Sequence, residues 1–144
     1  MCEDKKYKPR MFSTCPEDQP LFVQLCGNDP EFVLGAAKLV EKECNAVDIN
    51  LGCPQGIAKK GNYGSFLLNQ PETICSIVKK LHANLNIPVT CKIRCLPKLQ
   101  DTIDLVQKIE QSGCSILTVH GRTKEQNKEL VGRCNWDAIK TLKE

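Results

Sequence analysis

Polar side chains lie near the end of each of four short, mostly apolar segments of this sequence. Along each segment polar and apolar residues alternate, so an extended strand would have one apolar face and would present a polar group late on the other face. These late residues are Gln24, Asn50, Lys92 and His120. Buried polar groups cost free energy unless they are paired. Four of them in phase, at matching depth, therefore indicate a ligand site rather than a purely structural sheet.

A cysteine, Cys53, directly follows the second of these segments and precedes a glycine-containing loop. The C-terminal ends of strands are where the active sites of α/β barrels form. Taken alone, Cys53 is one of ten cysteines, and a buried structural thiol is the more frequent role for such a residue. A single late His or Lys also has an ordinary structural role, so the indication of a site comes from the set.

The four segments alternate with amphipathic stretches, which predicts four strand–helix units. The predicted strands cover 21–25, 46–51, 88–94 and 115–120. Helices are predicted to begin behind a polar or proline start, marked by Asp29–Pro30, Pro71, Asp101 and Asn135. Strict alternation of strand and helix is typical of a parallel sheet, which is either open and doubly wound or closed into a barrel.

The composition is that of an ordinary folded domain. Hydrophobic residues make up 41% and charged residues 26% of the 144 residues, enough to bury a core. Residues 1–20 contain three prolines and are predicted to be an irregular lead-in to one domain over 21–144. The net charge of +3 is compatible with an acidic partner such as RNA but does not by itself indicate one.

The cysteines lack the paired short spacings of structural zinc sites, since the tightest pair is Cys91 and Cys95. No secretory signal and no apolar run approaching the ~20 residues of a membrane span are found. We therefore expect a reducing compartment, the cytoplasm or the nucleus, in which thiols pack as small apolar groups. The cysteines expected to pack in this way are Cys26, Cys44, Cys75 and Cys114.

The segment 48–67, DINLGCPQGIAKKGNYGSFL, resembles the signature of the tRNA-dihydrouridine synthases. Three further pieces match the same family in the same order, namely VQL at 23–25, VTCKIR at 89–94 and LTVHGRT at 117–123. One piece alone would be weak, but the combination is specific and covers roughly residues 19–144. The wording of the 48–67 segment is most similar to the eukaryotic subgroup that acts at about positions 16 and 17 of the tRNA D-loop.

The resemblance implies a (β/α)8 TIM barrel that binds FMN, with NADPH as the reductant. It also implies a C-terminal helical domain that helps to hold tRNA. Carried over by matching motif, Gln24, Lys92 and His120 would contact the flavin. The lysine and histidine would supply donors to a ring that becomes anionic on reduction, and the glutamine would pair with its polar edge.

The same resemblance implies reduction of the C5–C6 double bond of a tRNA uracil, with Cys53 as the proton donor. Most thiols are protonated at neutral pH, so a cysteine can act as a general acid without special tuning. Asn50 would face the uracil, and Arg122 would lie near the flavin or the RNA backbone. Lys59 and Lys60 would either contact tRNA phosphates or remain solvated, two alternatives that the sequence leaves open.

The chain is shorter than a complete barrel, which takes ~250 residues. Its four units match strands three to six of the family's barrel, whereas flavin phosphate is commonly bound by loops after strands seven and eight. The fold expected here is therefore a partial barrel. Either the sequence is part of a larger product, or self-association or a partner chain completes the barrel, and the resemblance does not extend to activity of the 144 residues alone.

Two alternatives to a tRNA-modifying oxidoreductase remain open. Another FMN barrel that acts on free pyrimidines shares the fold and the cysteine chemistry, and tRNA binding would separate the two. A catalytically inactive fragment that serves as an interaction module is the second, and it would bind no flavin. The sequence does not determine which uridines are reduced or whether NADPH is preferred over NADH.

Overall fold

The computed structural model describes residues 6–144, in which four parallel strands form one sheet. The strands are β1 (Phe22–Leu25), β2 (Ala46–Leu51), β3 (Val89–Arg94) and β4 (Ile116–His120). They lie side by side in chain order, and each is parallel to the next. The four predicted strands are confirmed, and their C-terminal residues agree with the prediction.

Six α-helices occur within residues 6–144. They are α1 (Tyr7–Met11), α2 (Pro30–Val40), α3 (Gly56–Lys60), α4 (Pro71–Asn84), α5 (Leu99–Gln111) and α6 (Trp136–Lys143). Consecutive long helices pack against each other, α2 on α4, α4 on α5 and α5 on α6. Sequential strand order with right-handed crossovers places these helices on one face of the sheet. This singly wound arrangement is that of a partial α/β barrel and excludes the doubly wound alternative.

The helix starts follow the predicted polar and proline positions with one exception. The Asp29 carboxylate accepts hydrogen bonds from the backbone N–H groups of Glu31 at 2.8 Å and Phe32 at 3.1 Å, which is a side-chain cap. The expectation that Asp101 caps α5 is wrong, because that helix begins two residues earlier, at Leu99. Leucine and glutamine are good helix formers and extend the helix backwards, and Asp101 then lies in its first turn.

The lead-in expected to be irregular contains the short helix α1 in its described part. Pro9 lies in the first turn of this helix, where its missing N–H is tolerated. The Lys8 ammonium donates to the carbonyl oxygen of Leu39 at 2.6 Å and also contacts the carboxylate of Glu43. These contacts with the end of α2 and with the 3-10 turn that follows it, Glu41–Glu43, hold the lead-in against the domain. A local reading of the sequence does not reveal them.

The apolar face of the sheet packs against the helices and forms the core. Ile49, Leu51 and Ile93 are at most 1% exposed, and burial of each such side chain contributes about 1.5–3 kcal/mol. The opposite face of the sheet, which we call the open face, carries the late polar residues. The helices therefore stabilise the sheet from one side and leave the other side available for a site.

Most of the cysteines occupy apolar surroundings. Cys75, Cys91 and Cys95 are buried, and Cys44 and Cys114 are half-buried. The expectation for Cys26 is wrong, because this residue follows the last residue of β1 and is exposed in the loop. No group of three or more His, Cys, Asp or Glu residues in the described part of the chain could hold a metal ion. Within the same residues, no helix is long and apolar enough to cross a bilayer.

Candidate active site

The late polar residues of the four strands share the open face, as the alternation predicts. They do not lie at one depth, and the expectation of matching depth is wrong. Three successive levels are occupied, by the register pairs Gln24–Asp48, Asn50–Lys92 and Arg94–His120. A stagger from strand to strand is what the closure of a barrel requires. The polar groups therefore follow a slanted line across the open face.

A chain of hydrogen bonds joins the side chains of β1, β2 and β3 on this face. The carboxylate of Asp48 accepts one hydrogen bond from the hydroxyl of Thr90 at 2.7 Å and another from the side-chain amide of Gln24 at 2.6 Å. The amide group of Asn50 donates to the carbonyl oxygen of Gln24 at 2.9 Å. The predicted residues Gln24 and Asn50 are thus in direct contact.

The backbone of Cys53 is held from two sides. The side-chain oxygen of Asn50 accepts the N–H groups of Gly52 and Cys53, both at 3.0 Å. The carbonyl oxygen of Cys53 accepts the N–H of Ser65 at 3.0 Å and the Ser65 hydroxyl at 2.9 Å. Gly64 has a φ of 63°, and a Cβ there would lie 2.7 Å from the carbonyl oxygen of Cys53, so only glycine allows this approach. The Cys53 side chain is half-exposed beside the open face.

Arg94 joins the loops that follow β2 and β4. Its Nε donates to the carbonyl oxygen of Gly52 at 2.8 Å, and its Nη1 donates to those of Thr123 at 2.9 Å and Gln126 at 3.2 Å. Burial and the neighbouring Arg122 lower the pKa of Arg94. The site predicted from the sequence does not include Arg94, although the alternation places this residue on the same face as Lys92.

The imidazole of His120 accepts a hydrogen bond from Arg122, whose Nη1 lies 3.0 Å from Nε2 of the ring. A guanidinium can only donate, so the ring nitrogen facing it is unprotonated and the proton resides on Nδ1. Burial is the main cause that lowers the pKa of His120, and the positive charges of Arg94, Lys92 and Arg122 lower it further. The imidazole is therefore neutral at pH 7 and has one N–H to donate.

Cys26 and Tyr63 lie near Cys53 and are two neighbours that the sequence prediction missed. Although Cys26 is exposed, partial desolvation of its thiol and the charge of an ionised Cys53 raise its pKa. Burial, Cys26 and Cys53 raise the pKa of Tyr63. The Asn28 amide donates to the carbonyl oxygen of Gly61 at 3.2 Å, which ties the loop after β1 to the loop that carries Cys53.

The whole of this chain, residues 1–144, matches the family model described as Dihydrouridine synthase (Dus). The chain belongs to the dihydrouridine synthase family. The fold of that family is a TIM barrel, and the four strands with helices on one face are part of such a barrel.

Several relatives of this chain have names that specify tRNA positions. A protein of Schizosaccharomyces pombe named tRNA-dihydrouridine(16/17) synthase [NAD(P)(+)] is 52% identical over 143 residues, which are 98% of this chain and 36% of that protein. The Saccharomyces cerevisiae protein of the same name is 48% identical over 97% of this chain and 34% of its own length. A human protein named tRNA-dihydrouridine(20a/20b) synthase [NAD(P)+]-like is 40% identical over 96% of this chain and 44% of its own length. The chain thus spans about a third of the length of the 16/17 relatives.

The three lysines predicted for the site differ in their positions. Lys92 is exposed on the open face, level with Asn50 on one side and Thr118 on the other. Lys59 and Lys60 end the short helix α3 in the loop beyond Cys53, and both are exposed. Hydrogen bonds connect Gln24, Asn50 and the Cys53 backbone in one network and His120 and Arg122 in a second. Within residues 6–144, the three lysines form no hydrogen bond to the residues of these two networks.

Proposed function

We propose that this chain carries part of the active site of a flavin-dependent tRNA-dihydrouridine synthase that reduces uridines 16 and 17 of the D-loop. One observation carries the proposal: the hydrogen bonds of Asn50 hold the Cys53 backbone beside a face that also presents Lys92 and His120. The choice of positions 16 and 17 is supported by 52% and 48% identity to relatives named for them, against 40% for a relative named for 20a and 20b.

The residues of the open face have the chemistry that FMN requires. Lys92 and the Nδ1–H of His120 are donors suited to the polar edge of a flavin, and Gln24 keeps one amide N–H after it donates to Asp48. We assign these three residues to cofactor binding. When bound and reduced by NADPH, FMN supplies a hydride to C6 of the uracil.

In this proposal Cys53 delivers the proton and Asn50 orients the uracil. As C6 gains a hydride, negative charge develops at C5, and the thiol proton of Cys53 transfers there. The thiolate that remains interacts favourably with the nearby positive charge of Arg94. The Cys53 backbone is fixed by its hydrogen bonds to Asn50 and Ser65, so the proton is presented from a defined position.

We propose that Lys59, Lys60 and Arg122 contact the substrate, the two lysines through tRNA phosphates. The lysines are exposed beyond the Cys53 loop, where a cation attracts a polyanion without reading its sequence. We assign residues 21–144 to the FMN-binding barrel domain of an enzyme of the cytoplasm or the nucleus. Further strands, from a longer chain, a second copy or a partner, would complete the barrel.

The first test of the cofactor assignment is a titration of FMN with the purified 144-residue chain, followed by quenching of flavin fluorescence. The proposed site is supported if the wild-type chain quenches the flavin fluorescence stoichiometrically and the Lys92→Gln variant quenches it less. Lys79→Gln, in α4 on the helix side of the sheet, is the matched control and should not change the quenching. Quenching unaffected by Lys92→Gln would contradict the assignment of Lys92 to the flavin, and an absence of quenching would favour the interaction-module alternative.

The test of the tRNA assignment is a binding comparison between tRNA and a free pyrimidine nucleotide. The proposal is supported if the chain binds tRNA and if this binding weakens in the double variant Lys59→Gln/Lys60→Gln and at higher salt concentration. Binding of the free nucleotide but not of tRNA would instead indicate a flavin enzyme that acts on small pyrimidines.

A further inference from the structure

Asp48 is a charged residue that the proposed reaction does not use. It lies in the middle of β2, is 7% exposed, and both of its side-chain oxygens accept hydrogen bonds. A buried carboxylate is costly unless it is paired or hydrogen-bonded. Among the predicted site residues, Gln24 is hydrogen-bonded to Asp48, and Gln24 is hydrogen-bonded in turn to Asn50.

The order of donors and acceptors along this chain of side chains is determined at both of its ends. At one end, the N–H groups of Gly52 and Cys53 can only donate, so the oxygen of the Asn50 amide must face them. At the other end, the carboxylate of Asp48 accepts, so the NH2 of Gln24 must face it. The Gln24 oxygen and the Asn50 NH2 then meet, which is the contact of 2.9 Å.

We propose that Asp48 is a positioning residue for Cys53 that acts through the amides of Gln24 and Asn50. By accepting from Gln24, it selects one of the two orientations of that amide, and Gln24 then selects the orientation of Asn50 that accepts the Cys53 N–H. The functional meaning of this relay rests on the proposed role of Cys53, whereas the relay itself does not. Thr90 contacts the other oxygen of Asp48 and stands outside the relay.

The relay predicts which substitutions loosen the loop that carries Cys53. Asp48→Leu removes the acceptor and keeps the branched arrangement of side-chain heavy atoms, and Gln24→Met removes the amide that connects Asp48 to Asn50. Asp48→Asn retains an oxygen that can accept from Gln24, while its NH2 can donate to the hydroxyl of Thr90. Thr90→Val removes the second partner of Asp48 and leaves the relay in place.

The experiment is amide hydrogen exchange of the full 144-residue chain by NMR, which requires neither flavin nor tRNA. The rates at Gly52 and Cys53 are divided by the rate at Cys95, whose N–H donates to the carbonyl oxygen of Arg122 at 3.1 Å. We expect this ratio to rise about tenfold in Asp48→Leu and in Gln24→Met, the change that corresponds to about 1.4 kcal/mol. The double variant should exchange no faster than either single one, and Asp48→Asn and Thr90→Val should match the wild type.

If Asp48 only stabilises the sheet, Asp48→Leu would speed amide exchange at Cys95 as much as at Cys53. The increases in exchange rate caused by Asp48→Leu and by Gln24→Met would then multiply in the double variant. Either result overturns the relay. Gln24 is exposed, so Gln24→Met keeps the test decisive if Asp48→Leu does not fold, and an unchanged ratio in that variant also overturns it. A flavin titration that fails while the exchange pattern holds would contradict the proposed function and leave the relay standing.

Discussion

The imidazole of His120 is oriented by a cation instead of the carboxylate that often accompanies a histidine. Arg122 donates to Nε2 at 3.0 Å, which favours the neutral ring and leaves Nδ1 as its donor. Protonation would place an N–H against the guanidinium and add a positive charge beside Arg94 and Lys92, the cations that already lower the pKa of His120. His120 is therefore suited to donate a hydrogen bond as a neutral imidazole at neutral pH and is not suited to remain protonated as an imidazolium.

The titration of His120 tests this account. Because its pKa is lowered in the folded state, the unfolded chain binds the proton first as the pH falls. Its contribution to stability is complete above about pH 6.5 and is lost as the pH falls below that value. We expect Arg122→Gln to raise the pKa of His120 in an NMR titration. Between pH 7.5 and 5.5, the free energy of unfolding measured by urea denaturation should then fall less in this variant than in the wild type. A His120 pKa unchanged by this substitution would show that Arg122 does not hold the ring neutral.

The role proposed for Cys53 predicts a loss of turnover without a loss of binding. In a full-length dihydrouridine synthase that contains this segment, Cys53→Ala should bind FMN and tRNA normally and lose about 10²–10⁴-fold in turnover, the usual contribution of a general acid. Cys26→Ala removes a neighbouring thiol and is the matched control, with turnover near that of the wild type. Dihydrouridine formation at the wild-type rate in Cys53→Ala would exclude this thiol as the proton donor.

At the scale of elements, the site depends on the turn that carries the loop after β2 back beneath Cys53. Gly64 and Ser65 form the start of a 3-10 turn, Gly64–Leu67, and both are buried. Ser65 supplies the two hydrogen bonds to the Cys53 carbonyl oxygen, and Gly64 supplies the left-handed backbone that brings it there. Gly64, thirteen positions after the end of β2, thus helps to fix Cys53, which lies two positions after that end.

Substitution of Gly64 should therefore loosen the cysteine as well as the fold. We expect Gly64→Ala to lower the free energy of unfolding by about 1–3 kcal/mol, because alanine is strained at this positive φ and its Cβ would approach the Cys53 carbonyl oxygen. Gly56→Ala is the matched control, since nothing lies within 4 Å of its added Cβ and it begins α3. Urea denaturation measures both, and equal stability of the two variants would contradict the proposed constraint.

At the scale of the whole molecule, the open face is bordered by two strands with one free edge each. Within the described residues β1 pairs only with β2, and β4 pairs only with β3. Phe22 on β1 and Ile116 on β4 point to the open face and are 45% and 51% exposed. Unpaired edges and exposed apolar side chains are the usual sites of strand addition.

This geometry predicts concentration-dependent self-association of the 144-residue chain, measurable by sedimentation velocity. Ser115 donates its N–H to β3, so the alternation along β4 directs the N–H of Thr118 towards the free edge. Thr118→Pro removes that donor at an edge position where proline is tolerated and should reduce association. Thr118→Val, which keeps the N–H, is the control. A chain that remains monomeric over the whole concentration range would contradict the prediction.

The sequence predicts the strands and their faces because alternation is a local property of each segment. The register is not local, since it depends on how neighbouring strands shift as a barrel curves, and so the expectation of equal depth for Gln24, Asn50, Lys92 and His120 is wrong. Arg94 escaped the prediction of the site because its partners are backbone carbonyl oxygens, to which any residue type contributes. The short helix α1 was missed because its stabilising contacts come from Leu39 and Glu43, more than thirty residues away.

The hydrogen bonds around Cys53 have a consequence for how the proton would be delivered. Its N–H is bound by Asn50 and its carbonyl oxygen by Ser65, so neither neighbouring peptide plane can rotate freely. The position of the sulfur then has one remaining degree of freedom, the χ1 torsion, with three staggered positions. The sulfur can move only along a short arc, and the donor would select the carbon that it protonates by a choice among three rotamers instead of by movement of the loop.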